Sequence, residues 1–331
     1  MIGYNREELV GGYNDGLLTR QKIENAVDDA WKKGISNVCW LGIGGTWASA
    51  LQAVIHMKER TAMEVFAENA GEYLVTGDRR IGHGTLVILS SVTGTTTEMV
   101  SAVEKVHAAG ASVIGFIDTP GTPLSEQCDY CIMSPKNEQL KFFMAADRLM
   151  FLAGEFDDYE VFYGQLDAHL AEDLADVEEM SDEFAISFVQ KNLQNSLTYF
   201  VGAGALYGAT YSYAMCYWEE MHWMRTKSIH AAEFFHGMLE IIDEDTPVVV
   251  LQGEDSQRPL TERVIRFLDK ISHNYTVIDS RDYEMPGISA EYRGFIAHLI
   301  VHAVTNRIDA NLEAQSGHSM QLRRYYRKVE Y

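Results

Sequence analysis

The chain has 331 residues, 47% of them hydrophobic, and 27 Lys and Arg against 48 Asp and Glu, for a formal net charge of −21. That length accommodates two domains, each with its own core; the acidic balance excludes duplex nucleic acid as a partner and disfavours an anionic membrane, since both need a basic face. No run reaches the roughly 18 apolar residues of a membrane span, the opening MIGYNREELVGG lacks a signal pattern, and Cys39, Cys128, Cys131 and Cys216 lie in apolar surroundings that suit reduced thiols, so a cytoplasmic location is expected.

Residues 21–33 (QKIENAVDDAWKK) have helical periodicity and stop at Gly34. NVCWLG, 37–42, reads as a buried strand that runs through the glycine loop G-I-G-G-T into a helix, an arrangement that presents backbone N–H groups to an anion. The loop lacks the full G-x-G-x-x-G fingerprint, so no nicotinamide cofactor is expected. Strands MEVFAE, TLVIL, SVIGFID and DYCIM follow, alternating with helices that end at Ala108 and span 137–153. This alternation predicts an α/β fold with a parallel, doubly wound, flavodoxin-like sheet, in which ligands bind at the carboxyl ends of the strands. At that end of TLVIL the segment SSVTGTTTE crowds Ser90, Ser91, Thr93, Thr95, Thr96 and Thr97 around Gly94. A helix cap uses one hydroxyl and this segment offers six; the expectation is a phosphate cradle of neutral donors, shielded from the global negative field and needing no lysine. Cys128 and Cys131 form a lone C-x-x-C without a second pair, and no metal site is expected there.

From Glu155 to Glu183 the chain turns acidic, which reads as a solvated helix face or a connector. The boundary is placed here, giving domains 1–165 and 166–331. The second half then repeats the first: SLTYFVGAGALYGATYSYA parallels NVCWLGIGGTWASALQAV, and TPVVVLQGEDSQRPLTERVIRFL parallels GTLVILSSVTGTTTEMVSAVEKV. Where the first copy carries hydroxyls, the second carries Glu254 and Asp255, which repel a phosphate, so one phosphate site per chain is expected. The second half contributes instead the stretch from Glu220 to Gly237. Glu220 closes an apolar run that reads as a buried helix, where a charge needs a partner or a task as general base. His236, directly before Gly237, can give and take a proton near neutral pH; the alternative is a partly exposed Glu and a core His. His298 and His302 lack the Glu of a zinc H-E-x-x-H motif and read as packed histidines. The end, HSMQLRRYYRKVEY, is basic and aromatic and reads as a frayed tail or a flap.

Glu220, twelve intervening residues, and then E-x-x-H-G at Glu233–Gly237 resemble the catalytic segment of the sugar isomerase (SIS) family, and the likeness extends over the whole chain as two SIS domains in tandem. Within that family the chain is most similar to the ketosamine-6-phosphate (fructosamine) deglycases, then to the isomerase half of glucosamine-6-phosphate synthase. The resemblance implies Glu220 and His236 as catalytic residues, Ser91, Thr93, Gly94 and Thr96 as the sugar-phosphate loop (S-x-T-G-x-T), Gly45 and Thr46 as a second substrate loop, and Lys328 as the match to an essential lysine near the C-terminus. It implies a phosphorylated sugar-amine substrate, no metal or redox cofactor, and a homodimer or higher homo-oligomer whose neighbouring subunit supplies His236. An aldose–ketose or aminosugar isomerase, and a sugar-phosphate sensor without catalysis, are the competing readings. The global charge favours approach of a substrate whose amine arm keeps a positive charge.

Overall fold

The computed structural model describes residues 1–330. One unit, Glu7–Ala171, begins with helices α1 (Arg6–Leu18) and α2 (Arg20–Lys32). There follow β1 (Asn37–Gly42), α3 (Gly45–Lys58), β2 (Glu64–Asn69), α4 (Ala70–Thr76), β3 (Thr85–Ser91), α5 (Thr97–Ala108), β4 (Ser112–Ile117), α6 (Pro123–Gln127), β5 (Tyr130–Ile132) and α7 (Glu138–Leu152). All five strands are parallel, in the order β2-β1-β3-β4-β5.

The continuous apolar runs of β1 and β3 are buried along their entire length because helices cover both faces. Alternate residues go to opposite sides. Cys39 and Leu41 of β1 join Val87, Leu89 and Val113 in a core with Tyr73, Met99 and Val103. Trp40 goes to the other face, with its ring 5.0 Å from that of Phe142 on α7, which is in turn 5.8 Å from Phe116. Since β1 and β3 are neighbours while β2 and β4 lie outward on opposite sides, their carboxyl ends bracket a topological switch point, the place where such sheets form a ligand crevice.

Helix α8 (Tyr159–Asn192) runs 34 residues, and the division between the units falls inside it, after Ala171. Most of its acids, among them Glu160, Asp167, Glu172, Glu179 and Glu183, are exposed as expected of a solvated face, and two are buried. Asp173 and Glu178 are 5% and 4% exposed, because Asp173 accepts from the Gly287 N–H at 3.1 Å and Glu178 from Asn306 Nδ2 at 3.0 Å. Asp182 holds the buried guanidinium of Arg307 at 2.7 Å. Burial raises the Glu178 carboxyl above its ordinary range.

The second unit, Glu172–Tyr331 with Met1–Arg6, contains β6 (Thr198–Gly202), α9 (Ala205–Ser212), β7 (Thr226–His230), β8 (Val248–Gln252), α10 (Arg258–Ile271), β9 (Tyr275–Asp279) and α11 (Ala290–Ser316). Its strands are parallel in the order β7-β6-β8-β9, which repeats the order of the first four strands of the other sheet. The facing repeats too: Val201, Val248 and Val250 pack with Val264 and Leu268, while Phe200 turns to the other side, its ring 5.0 Å from that of Trp218. A second switch point therefore lies between β6 and β8.

Candidate functional site

At the first switch point the chain leaves β1 through Gly42, where a Cβ would come within 2.6 Å of the Thr46 backbone. It turns at Gly44, whose φ of 62° suits glycine, and opens α3 with Gly45 and Thr46. The Thr46 hydroxyl lies 3.4 Å from both the Ser90 carbonyl and Glu138 Oε2, and Ser49 donates to Glu138 Oε1 at 2.6 Å. Glu138 therefore fixes the helix side of this loop. Nothing in the sequence separates it from any acid in the first turn of a helix.

Ser91 closes β3 and its Oγ accepts from the Gly94 N–H at 3.0 Å. Gly94 has φ 63°, and a Cβ there would fall 2.0 Å from Thr122 Oγ1, so this turn admits only glycine. Thr93 Oγ1 accepts from Thr95 Oγ1 at 3.2 Å. Thr96 occupies the N-cap position of α5, yet its hydroxyl makes no capping bond, which leaves it and the first amides of the helix for another acceptor. The structure thus brings Gly45, Thr46, Ser91, Thr93, Gly94 and Thr96 onto the two loops of one switch point. Behind them, Lys141 is completely buried, with Nζ 2.5 Å from the Ser134 carbonyl and 3.3 Å from Asp118 Oδ1. Burial lowers its pKa. The backbone N–H of Asp118 donates to the Ser91 carbonyl at 3.2 Å, so the lysine braces the loop from beneath.

The second switch point has the same glycine geometry and a different occupant. Gly204 takes φ 62°, as Gly44 does, and precedes α9. Here Asp255 Oδ2 accepts from the Ala205 N–H at 2.9 Å, its Oδ1 accepts from the Gln257 N–H at 2.9 Å, and Gln257 Oε1 accepts from the Gly204 N–H at 3.2 Å. A carboxylate of the chain itself occupies the helix N-terminus. Glu254 turns away to Arg293 at 2.8 Å and to the Ser280 hydroxyl at 2.9 Å.

Glu220 follows a π-helical segment, Tyr213–Glu219, where the sequence reads as ordinary buried helix. The wider register is visible in the bonds from the Glu220 N–H to the Met215 carbonyl and from the His222 N–H to the Tyr217 carbonyl, at 3.0 and 2.9 Å; such segments recur at functional sites. Glu219 and Glu220 part company: Glu219 accepts from the Thr226 hydroxyl at 2.7 Å, whereas Glu220 Oε1 is 2.9 Å from Arg323 Nε of the C-terminal tail, with its side chain 37% exposed. Beneath them, Asp309 accepts from Tyr213 and meets His222 Nε2, each at 3.1 Å, all three buried. Burial raises the Asp309 carboxyl.

The tail is fastened to the turn after Glu220. His318 Nε2 is 3.0 Å from the Met221 carbonyl, its ring lies 4.4 Å from that of Trp223, and the Arg324 guanidinium sits 4.3 Å over the same indole. Trp223 has φ 57°, a left-handed conformation that costs a bulky residue about 1–3 kcal/mol. Lys328 is exposed and donates to the Arg323 carbonyl rather than to Glu220. His236 ends a short 3-10 turn, Phe234–His236, anchored by fully buried Phe234, and its own ring is exposed, so it is no core histidine. His298 is buried on α11, and burial pushes its neighbour one turn on, His302, down to about 4. Among the described residues no three His, Cys, Asp or Glu side chains converge as a metal-binding group, and no helix is long and apolar enough to cross a membrane.

Two doubly wound units with glycine-loop switch points, one of them lined with the hydroxyls of Ser91, Thr93 and Thr96, define the class of α/β protein to which the comparisons speak. Residues 35–150 match the SIS domain. It is 28% identical over 323 residues to fructosamine deglycase FrlB of Bacillus subtilis, a match covering 94% of this chain and 97% of that one. It is 24% identical over 313 residues to fructoselysine 6-phosphate deglycase of Escherichia coli, covering 92% and 89% of the two chains. A crystal structure of a Bacillus subtilis protein assigned to the phosphosugar isomerases superposes with a TM-score of 0.88 at 28% identity, over 94% of this chain and 97% of that one.

Proposed function

We propose that this protein hydrolyses a fructosamine 6-phosphate to glucose 6-phosphate and a free amine. The carrying observation is a cradle of hydroxyls and helix amides at the first switch point, in a chain whose second unit places a carboxylate, Glu220, at the end of a π-helical segment beside a cation. Its similarity to a fructosamine deglycase and a fructoselysine 6-phosphate deglycase supports the same reading.

In this reading Ser91, Thr93, Gly94 and Thr96 hold the phosphate, and Gly45 and Thr46 the sugar end nearest α3. The C1 proton of the substrate is acidified by the C2 ketone. Glu220 removes it as His236 serves the ring and C2 oxygens, and an enolamine forms. Return of the proton to C2 gives a C1 imine, and water hydrolyses that to the aldehyde of glucose 6-phosphate with release of the amine. His236 comes from the neighbouring subunit of a homodimer, a role that suits its exposed ring. Lys328 closes over the substrate from the tail. The protein works in the cytoplasm.

The test is release of glucose 6-phosphate from a synthetic fructosamine 6-phosphate, with no response to the unphosphorylated compound. Efficient conversion of fructose 6-phosphate and ammonia to glucosamine 6-phosphate, with every fructosamine ignored, overturns it in favour of an isomerase.

A further inference from the structure

Arg323 uses half of its guanidinium. Nε bonds Glu220 Oε1 at 2.9 Å, and Nη1 donates to the Met320 and Leu322 carbonyls at 2.6 and 2.9 Å. Nη2, which lies on the same edge as Nε, has no hydrogen-bond partner among the described residues, and the side chain keeps 22% of its surface exposed. The Nε and Nη2 edge is the one that grips carboxylates, so its open end is a vacant carboxylate position directly beside Glu220. The setting is basic: Arg323, Arg324, Arg327 and Lys328 lie within six residues of a chain whose net charge is −21. The left-handed Trp223, held by His318 and Arg324, shows that this tail is held against its turn at a cost in strain.

Resting on the deglycase reading, we propose that Arg323 is the specificity residue for the departing amine: Nη2 binds a carboxylate carried on the carbon next to the nitrogen, while Nε keeps Glu220 aimed at C1. The chemistry fits the reach. In an adduct of an α-amino group the carboxylate carbon is three bonds from C1, each of about 1.5 Å, and a base taking the C1 proton must itself lie within about 3 Å of it. One guanidinium can then touch both anions and offset the repulsion between them. The substrate class is thereby an amino acid joined through its α-amine. The local guanidinium outweighs the global acidic charge, whose influence on approach is screened beyond about 8 Å at physiological salt.

The experiment compares kcat/KM for the 6-phosphates of fructose-glycine and fructose-methylamine, which differ only in that carboxylate, on one preparation. The ratio is independent of the fraction of folded protein. Wild type should favour the glycine adduct by roughly 10- to 100-fold, the worth of one hydrogen bond between charged groups. Arg323→Gln should bring the ratio near one, and Arg323→Lys should restore part of it. A wild-type ratio near one, or a ratio unchanged in Arg323→Gln, overturns the role of Arg323 and leaves the deglycase intact. If wild type turns over neither adduct, this proposal falls, and the deglycase reading falls with it only when a fructoselysine 6-phosphate is ignored as well.

Discussion

At the first switch point Gly44 is partly exposed, with nothing within 4 Å of a Cβ built on it; at the second, Gly204 has the same φ of 62° but is buried, and a Cβ would fall 2.0 Å from Asp255 Oδ2. The backbone geometry that makes an anion site has been kept in both copies, and the ligand position of one has been filled by a side chain. Donors at a helix N-terminus demand an acceptor whether or not function supplies one. At the second switch point that acceptor is the carboxylate of Asp255. The first copy also has a carboxylate nearby, Glu138, but it is spent on the hydroxyls of Ser49 and Thr46 and leaves the loop amides open.

The division of labour breaks first at Glu220. Glu220→Gln keeps the shape and removes the base, and turnover should fall by roughly 10²- to 10⁴-fold with substrate affinity largely kept. Glu219→Gln, whose carboxylate is occupied with Thr226, should leave turnover near wild type. Near-normal turnover in Glu220→Gln removes the chemistry from the second unit. His236→Ala should lose activity to a similar degree. If His236 serves the partner's site, mixing and reassembling these two inactive variants should restore roughly a quarter of wild-type activity, through mixed dimers with one intact site. Failure of dimers that demonstrably exchange subunits would place both groups in one chain.

A smaller effect probes the first unit. The Thr96 hydroxyl spends nothing on its own helix, so Thr96→Val should leave the melting temperature nearly unchanged. It should raise KM by roughly 10- to 100-fold, the loss of one hydrogen bond to a charged phosphate. An unchanged KM with a lowered melting temperature would make Thr96 a structural residue and weaken the cradle.

The sequence announced what depends on local chemistry. β1 and β3 are legible because strands buried on both faces leave unbroken apolar runs, and the loops because glycines with positive φ stand where the strands end. The contrast between SSVTGTTT and QGEDSQRP is legible as charge, whereas the bond from the Ala205 N–H to Asp255 is visible only in the fold. α1 is obscured by paired glycines inside REELVGGYNDGLL, which weaken any helical signal. β7, inside the Glu220 to Gly237 stretch, is a mostly half-buried edge strand, TKSIH, and lacks an apolar pattern. A π register leaves no trace in apolar spacing over seven residues. The pairing of Arg323 with Glu220 joins residues 103 apart in the chain, and only folding reveals it.

The smallest effect on activity belongs to Asp255, and it decides whether the two switch points have truly diverged. Asp255→Asn keeps the side chain's size and one oxygen acceptor but removes the charge at the helix N-terminus. The loss should be about 2–3 kcal/mol, since one of its two charged hydrogen bonds becomes neutral and the other is replaced by an amide N–H facing a backbone N–H. In a protein with domains of this size that lowers the melting temperature by roughly 4–12 °C. KM for the phosphorylated substrate should stay within about twofold, because the affected amides of Gly204 and Ala205 are closed to ligand by Asp255 and Gln257 in the native fold. The two readouts separate the explanations: a structural plug moves stability and spares KM, whereas a substrate-binding loop moves KM. If Asp255→Asn raises KM as far as Thr96→Val does, the second loop also binds substrate, and the one-phosphate reading of the repeat is wrong.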